Sequence, residues 1–99
     1  MTFEKHPCVY ILASHRNGTL YVGVTTDSAW RIEGHRSGAV PGFTRKYGVH
    51  ILVYAEFHDR MEDALLRERQ IKKWRRAWKI ELIERQNPQW RDLLETYAL

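Results

Sequence analysis

Cysteine is nearly missing from this 99-residue chain. Cys8 stands alone, so no disulfide can close within the chain and no cysteine-based zinc site is available. A reduced, cytoplasmic setting is the expectation. Proline and glycine are sparse, at three and six residues, and neither a low-complexity tract nor an internal repeat occurs. No apolar run approaches the length needed to span a bilayer, and the N-terminus lacks a long apolar stretch, so neither membrane insertion nor secretion is expected. The length suits one domain with one core over residues 1–99, the core running from about 7 to 94, and leaves no room for a separate targeting module. What is plentiful is apolar surface. A hydrophobic fraction of 43%, with Trp, Tyr and Phe scattered throughout, is enough to offset ordering entropy and marks a folded globule. Sixteen basic residues against twelve acidic ones leave a formal charge of +4. This favours polyanionic partners, a bias shared by many proteins that never touch nucleic acid.

The chain is organised around Cys8-Val9-Tyr10-Ile11-Leu12-Ala13, a turn at Asn17-Gly18, and Leu20-Tyr21-Val22-Gly23-Val24. Both runs are rich in β-branched and aromatic residues, and Asn-Gly suits a two-residue hairpin turn. That turn predicts a register in which Ala13 faces Val22, Leu12 faces Gly23 and Tyr10 faces Thr25. Val9, Ile11, Ala13, Leu20, Val22 and Val24 then share one wholly apolar face, which should lie on the core. The other face carries Tyr10 and Tyr21 beside Gly23, which is expected to leave room for something to approach.

Further on, Asp27 is a plausible N-cap for a short helix over Ala29 to Ser37, ending at Gly38. Arg31 and His35, four apart, project from its same face. A loop with glycine and proline punctuation delivers Arg45, Lys46 and Tyr47 before a third strand, Val49 to Phe57, read as central or well covered. Asp59 then caps a helix from about Arg60 to Trp74, with Glu62 and Asp63 in its first turn and Lys72 and Lys73 in its last. Ala64, Glu68 and Ile71 fall on one face, so a carboxylate interrupts an apolar stripe. A second helix runs from about Ala77 to Arg85 with Ile80, Ile83 and Leu82 inward, and Asn87-Pro88 stops it. The order β-β-α-β-α-α predicts an α+β fold, a small three-stranded antiparallel sheet flanked by helices.

Val9-Tyr10 and Tyr21-Val22-Gly23 resemble the two halves of the motif of the GIY-YIG (URI domain) nucleases. The resemblance continues in order through Arg31, His35, Gly42-Phe43-Thr44, Lys46-Tyr47, Arg67-Glu68, Ile71-Lys72-Lys73-Trp74 and Asn87-Pro88-Gln89-Trp90. It covers nearly the whole chain and is nearest to the small, single-domain bacterial branch of that superfamily. It implies a GIY-YIG endonuclease fold and DNA phosphodiester hydrolysis with Mg²⁺ or Mn²⁺. Two departures stand out: Cys8 replaces the first glycine of the motif, and Gly34 fills the place where a glutamate usually precedes the histidine.

Phosphodiester hydrolysis needs a water nucleophile, a base, a cation and help for the leaving oxygen. Glu68 is the metal ligand that the resemblance implies, since a hard divalent ion often takes only one or two protein carboxylates. By spacing alone it reads as readily as the ion-pair partner of Lys72 or Arg69. Tyr10 matches the family's base and Tyr21 its assistant. A free tyrosine titrates near 10, so full ionisation at neutral pH would need about 4 kcal/mol from neighbouring positive charge. Strand tyrosines are otherwise core residues with a tethered hydroxyl. Arg31 matches the family's catalytic arginine and suits a non-bridging phosphate oxygen. His35 matches a position that orients water or acts on the leaving group, and Gly23 and Asn87 are supporting positions. Lys46, Arg67, Arg69, Lys72, Lys73, Arg75 and Arg76, interleaved with Trp74 and Trp78, are expected to track a phosphate backbone and stack on bases, or else to form a solvated basic face over core tryptophans. The expected partner is DNA, branched or damaged forms included and RNA left open, with no membrane, acting as a monomer or weak homodimer. A catalytically weak or inactive nucleic-acid-binding domain of the same fold is the alternative, and a protein-interaction module a third.

Overall fold

A computed structural model describes residues 7–26 and 48–93. Within them the chain forms β1 (Cys8–Ala13), β2 (Leu20–Thr25), β3 (Ile51–Phe57), α1 (Met61–Lys73) and α2 (Arg76–Gln86). The expected helix over 29–37, with Asp27, Arg31 and His35, lies outside the described residues, as do Lys46 and the 42–44 loop.

The three strands make one antiparallel sheet in the order β2-β1-β3. The strand between the other two is β1; of the two readings of β3, central or well covered, the second holds, residues 52–55 being buried. All six β1 residues are buried, because both of its edges are paired and both of its faces are covered. β3 instead hands its outer edge to the segment after α2. The Leu52 amide donates to Asp92 Oδ1 at 3.2 Å, the Leu93 amide donates to Leu52 O at 2.7 Å, and Asn87 Nδ2 donates to Val53 O at 3.1 Å. An edge strand covered in this way offers little to a foreign strand. Val53 is the extra residue of a β-bulge, since Ile11 pairs with Tyr54 while Leu12 pairs with Leu52.

The hairpin is registered two residues away from the expected pairing. Ala13 faces Leu20, Leu12 faces Tyr21, and Tyr10 faces Gly23. The cause is a longer loop. Ser14 and Thr19 close it, the Ser14 amide donating to Thr19 O and the Thr19 amide to Ser14 Oγ, both at 3.0 Å. Inside, the Gly18 amide donates to His15 O at 2.9 Å, and Asn17 takes the left-handed conformation at φ 60°. A Cβ on Gly18 would stand 2.2 Å from Ser14 Oγ, so the glycine is required by crowding. Because side chains alternate with period two, a two-residue slip returns each to its predicted face.

Val9, Ile11, Ala13 and Val22 accordingly pack with Val53 and Tyr54 against Ala64 and Ile71 of α1, Ile83 of α2, and Trp90. Both helices thus cover one face of the sheet. Cys8, Tyr10, Leu12, Leu52 and Ala55 form the second core on the other face with Val49, and Tyr21 and Leu93 pack against it. The N-cap of α1 is Arg60, not Asp59, and it makes no side-chain cap; its guanidinium grips the Glu62 carboxylate at 2.9 and 3.0 Å instead. The acidic first turn and basic last turn of α1 stand as expected. α2 extends one residue beyond each predicted end, and Asn87 caps it, its amide donating to Ile83 O at 2.8 Å.

Candidate functional site

The hairpin sets Tyr10 and Tyr21 as diagonal cross-strand neighbours, their ring centroids 6.3 Å apart and their planes tilted by 37°. Tyr10 is 1% exposed, whereas Tyr21 reaches the surface in part. Gly23 explains how Tyr10 fits. A Cβ there would stand 2.5 Å from Tyr10 Cζ and 2.6 Å from its hydroxyl oxygen, so the space that Gly23 leaves is filled by the ring of Tyr10. The expectation of an open approach beside this glycine is corrected accordingly.

Glu68 sits on α1 between the buried Ala64 and Ile71, and its side chain is only 14% exposed. Its carboxylate lies 3.0 Å from Lys72 Nζ, the ion pair that spacing alone allowed. The Ala64 and Ile71 stripe packs on the sheet face opposite the phenols, with β2 as the edge strand between them. The structure therefore brings the two tyrosines together and pairs Glu68 with Lys72. Arg31 and His35 are not among the described residues.

The donor set bears on a metal directly. Among the described residues no group of three or more His, Cys, Asp and Glu could hold an ion. A protein-built cage for a transition metal is thus not offered by these residues. One largely shielded carboxylate fits the sparse ligation of a hard divalent ion that keeps several waters and borrows substrate oxygens.

The basic residues separate into tied and untied groups. Arg67 Nε donates to Glu56 at 3.1 and 3.2 Å, and its guanidinium carbon lies 5.1 Å from the centroid of the Trp74 ring. Arg76 Nη2 donates to Asn17 O at 2.5 Å and Gly18 O at 2.6 Å, tying the start of α2 to the hairpin loop. Arg75 lies over Trp78 at 4.6 Å, while Arg69 and Lys73 are exposed. Asn87 is buried, and its side chain holds Val53 O, Arg91 O and the Arg91 amide, so its supporting part is mechanical.

One polar cluster lay beyond the sequence reading. The Tyr54 hydroxyl donates to Glu56 Oε1, and His58 Nε2 lies 2.6 Å from Glu56 Oε2, the oxygen that Arg67 Nε also contacts at 3.1 Å. Burial alone would raise the Glu56 carboxyl, but the hydrogen bonds from Tyr54 and His58 and the charge of Arg67 outweigh it and hold the group below its ordinary value. Burial, reinforced by Glu56, raises the Tyr54 hydroxyl far above the usual range, so Tyr54 stays a donor. The signal was period two along β3, which sets residues 54, 56 and 58 on one face; the partner on α1 left no such trace.

The hairpin-led three-stranded sheet with both helices on one face defines a fold class. A family model described as the GIY-YIG catalytic domain matches residues 6–81, and the chain belongs to that family. It is 40% identical over 75 residues to a UPF0213 protein of Clostridium perfringens, covering 76% of this chain and 80% of that one. A UPF0213 protein of Syntrophus aciditrophicus is 40% identical over 82 residues, covering 82% and 92% of the two chains. The solution structure of a UPF0213 protein from Bacillus halodurans superposes with a TM-score of 0.56 at 29% identity, over 95% of this chain and 99% of that one.

Proposed function

We propose that the chain is a divalent-metal-dependent endonuclease that hydrolyses DNA phosphodiester bonds at a single-metal site. The observation that carries this reading is the Tyr10 and Tyr21 pair, side by side on the hairpin of a GIY-YIG family chain. Tyr10 takes the proton of the attacking water and Tyr21 orients that water or the phosphate beside it. Arg31 holds a non-bridging oxygen, and His35 positions water or serves the leaving group. Glu68 would hold the ion, Mg²⁺ or Mn²⁺, whose charge would offset that growing on the phosphate. Lys72 must release Glu68 for this, since ammonium and metal compete for one carboxylate. Lys46, Arg69, Lys73 and Arg75 follow the backbone of the bound strand.

The Glu68–Lys72 pair also favours a second reading, a nucleic-acid-binding domain without useful turnover, in which that pair stays closed. Supercoiled, branched and single-stranded DNA, and RNA, incubated with Mg²⁺ or Mn²⁺, separate the two. Wild type is expected to nick DNA, while Tyr10→Phe and Glu68→Ala lose about 100-fold or more of the rate, the scale of a lost general base or metal. Binding without nicking establishes the second reading. Equal nicking by all three proteins removes the assigned roles.

A further inference from the structure

A cavity of about 370 Å³ opens between α1 and α2, lined by Arg67, Trp74, Trp78, Glu81, Leu82 and Arg85. Its volume falls at the lower end of the range of small-molecule clefts, about 300–1,000 Å³. The α2 contribution is one helical stripe, since Trp78, Glu81, Leu82 and Arg85 stand at i, i+3, i+4 and i+7. Ile83, the fully buried position of α2, lies off this stripe, while Leu82 and Trp74 pack in part against the core. Trp78 is 48% exposed, an unusual placement for the largest apolar side chain. Trp74 meets it edge to face, with centroids 6.2 Å apart and planes at 82°. Two indoles set at a right angle form a corner in which a flat ring lies on one and abuts the other. Each indole already carries a guanidinium, Arg67 on Trp74 at 5.1 Å and Arg75 on Trp78 at 4.6 Å.

We propose that this corner is a stacking site for one unpaired nucleobase of a DNA strand, with the face of Trp78 away from Arg75 as the platform, Trp74 as the side wall, and Arg75 beside the flanking phosphate. The inference deepens the nuclease reading and rests on it for the choice of polymer. The wall chemistry selects the occupant. Its apolar part is two indoles and one leucine, which suits a planar π-system. Of its lining guanidiniums Arg67 is tied to Glu56 and Arg85 to Glu81 at 2.7 Å, so the positive charge left at the corner is that of Arg75 over Trp78. That balance favours a polyanion, and a chain of net charge +4 opposes stacking a second copy of itself there. Inside a duplex both faces of every base are covered by neighbours. Only an unpaired base can offer one, so the site directs the protein to DNA with a single-stranded segment.

The test measures binding of the full chain in EDTA, so that no strand is cut. Three probes serve: a short oligothymidylate, an oligonucleotide of equal length and charge made of abasic sites, and a blunt duplex. Indole quenching and anisotropy are read for wild type, Trp78→Ala and Trp78→Phe, with circular dichroism confirming that each variant is folded. Wild type is expected to bind oligothymidylate more tightly than the abasic strand or the duplex, with quenching. Trp78→Ala weakens oligothymidylate binding about 10-fold and leaves abasic binding unchanged, and Trp78→Phe restores most of the loss. Equal affinity of wild type for the base-bearing and abasic strands overturns the proposal, as does an unaltered Trp78→Ala variant. Trp78-dependent binding in a protein that nicks nothing upholds the stacking site while the nuclease reading falls. Nicking of intact duplex that ignores Trp78 does the reverse, and binding to no DNA removes both.

Discussion

Arg67, expected among the phosphate-facing cations, has its Nε on Glu56 and its flat face on Trp74. Helical spacing shows which residues flank it and says nothing of a strand residue eleven positions earlier. Glu68 shows the opposite case, since its partner Lys72 is one turn away and was readable. The Glu56 cluster gives this scale its prediction. A carboxyl held below its ordinary value of 4.5 in the folded protein contributes stability that is complete above that value. The contribution is lost as pH falls through the lowered folded value. Glu56→Gln should therefore lower stability by about 2 kcal/mol near neutral pH, the scale of lost hydrogen bonds to a charged group. Urea unfolding of variant and wild type should converge as the pH is taken below 4.5 and through the lowered folded value. A gap that stays constant across that range would show that the carboxylate charge contributes nothing.

Among the elements, α1 was the most legible. Its apolar spacing and its end charges are local properties, and both survive in the fold. Its N-cap was not, because Arg60 takes the cap position and Asp59 stays outside. The hairpin was legible in its faces and illegible in its register. Asn-Gly announces a tight turn, but the Ser14 hydroxyl offers the Thr19 amide a partner and closes a longer loop. β3 read as central or well covered, since its density of β-formers marks a covered strand without saying what covers it. The cover is the segment after α2, pinned by Asn87 to the bulge at Val53. Asn87→Ala removes three hydrogen bonds from a buried site and should cost about 2 kcal/mol or more. Hydrogen exchange at the Leu52 and Leu93 amides should quicken more than at Ile11 and Val22. A uniform change across the sheet would refute the pinning.

At the scale of the molecule, Cys8 reports on the whole. It is 0% exposed at the start of the central strand, and burial pushes its thiol up to about 12. A thiol reagent at mildly alkaline pH should label it only at the rate of global opening, and denaturant should raise that rate as it lowers stability. Rapid labelling of the native protein would contradict the burial. The sign of the pH effect follows: above the ordinary thiol value of 9.0 the unfolded chain ionises while the folded one keeps its proton, so stability falls from there toward 12. The sequence by itself determined the two faces of the hairpin, the helix ends to within a residue or two, the α+β class and the motif residues. Each of these depends on spacing along the chain, which alternation and helical periodicity preserve. Only the tertiary structure decided the hairpin register, the central place of β1, the joining of Arg67 to the Glu56 cluster and the indole corner between the helices, because these join residues of different elements whose distances are set by packing, which a period along one element does not reach.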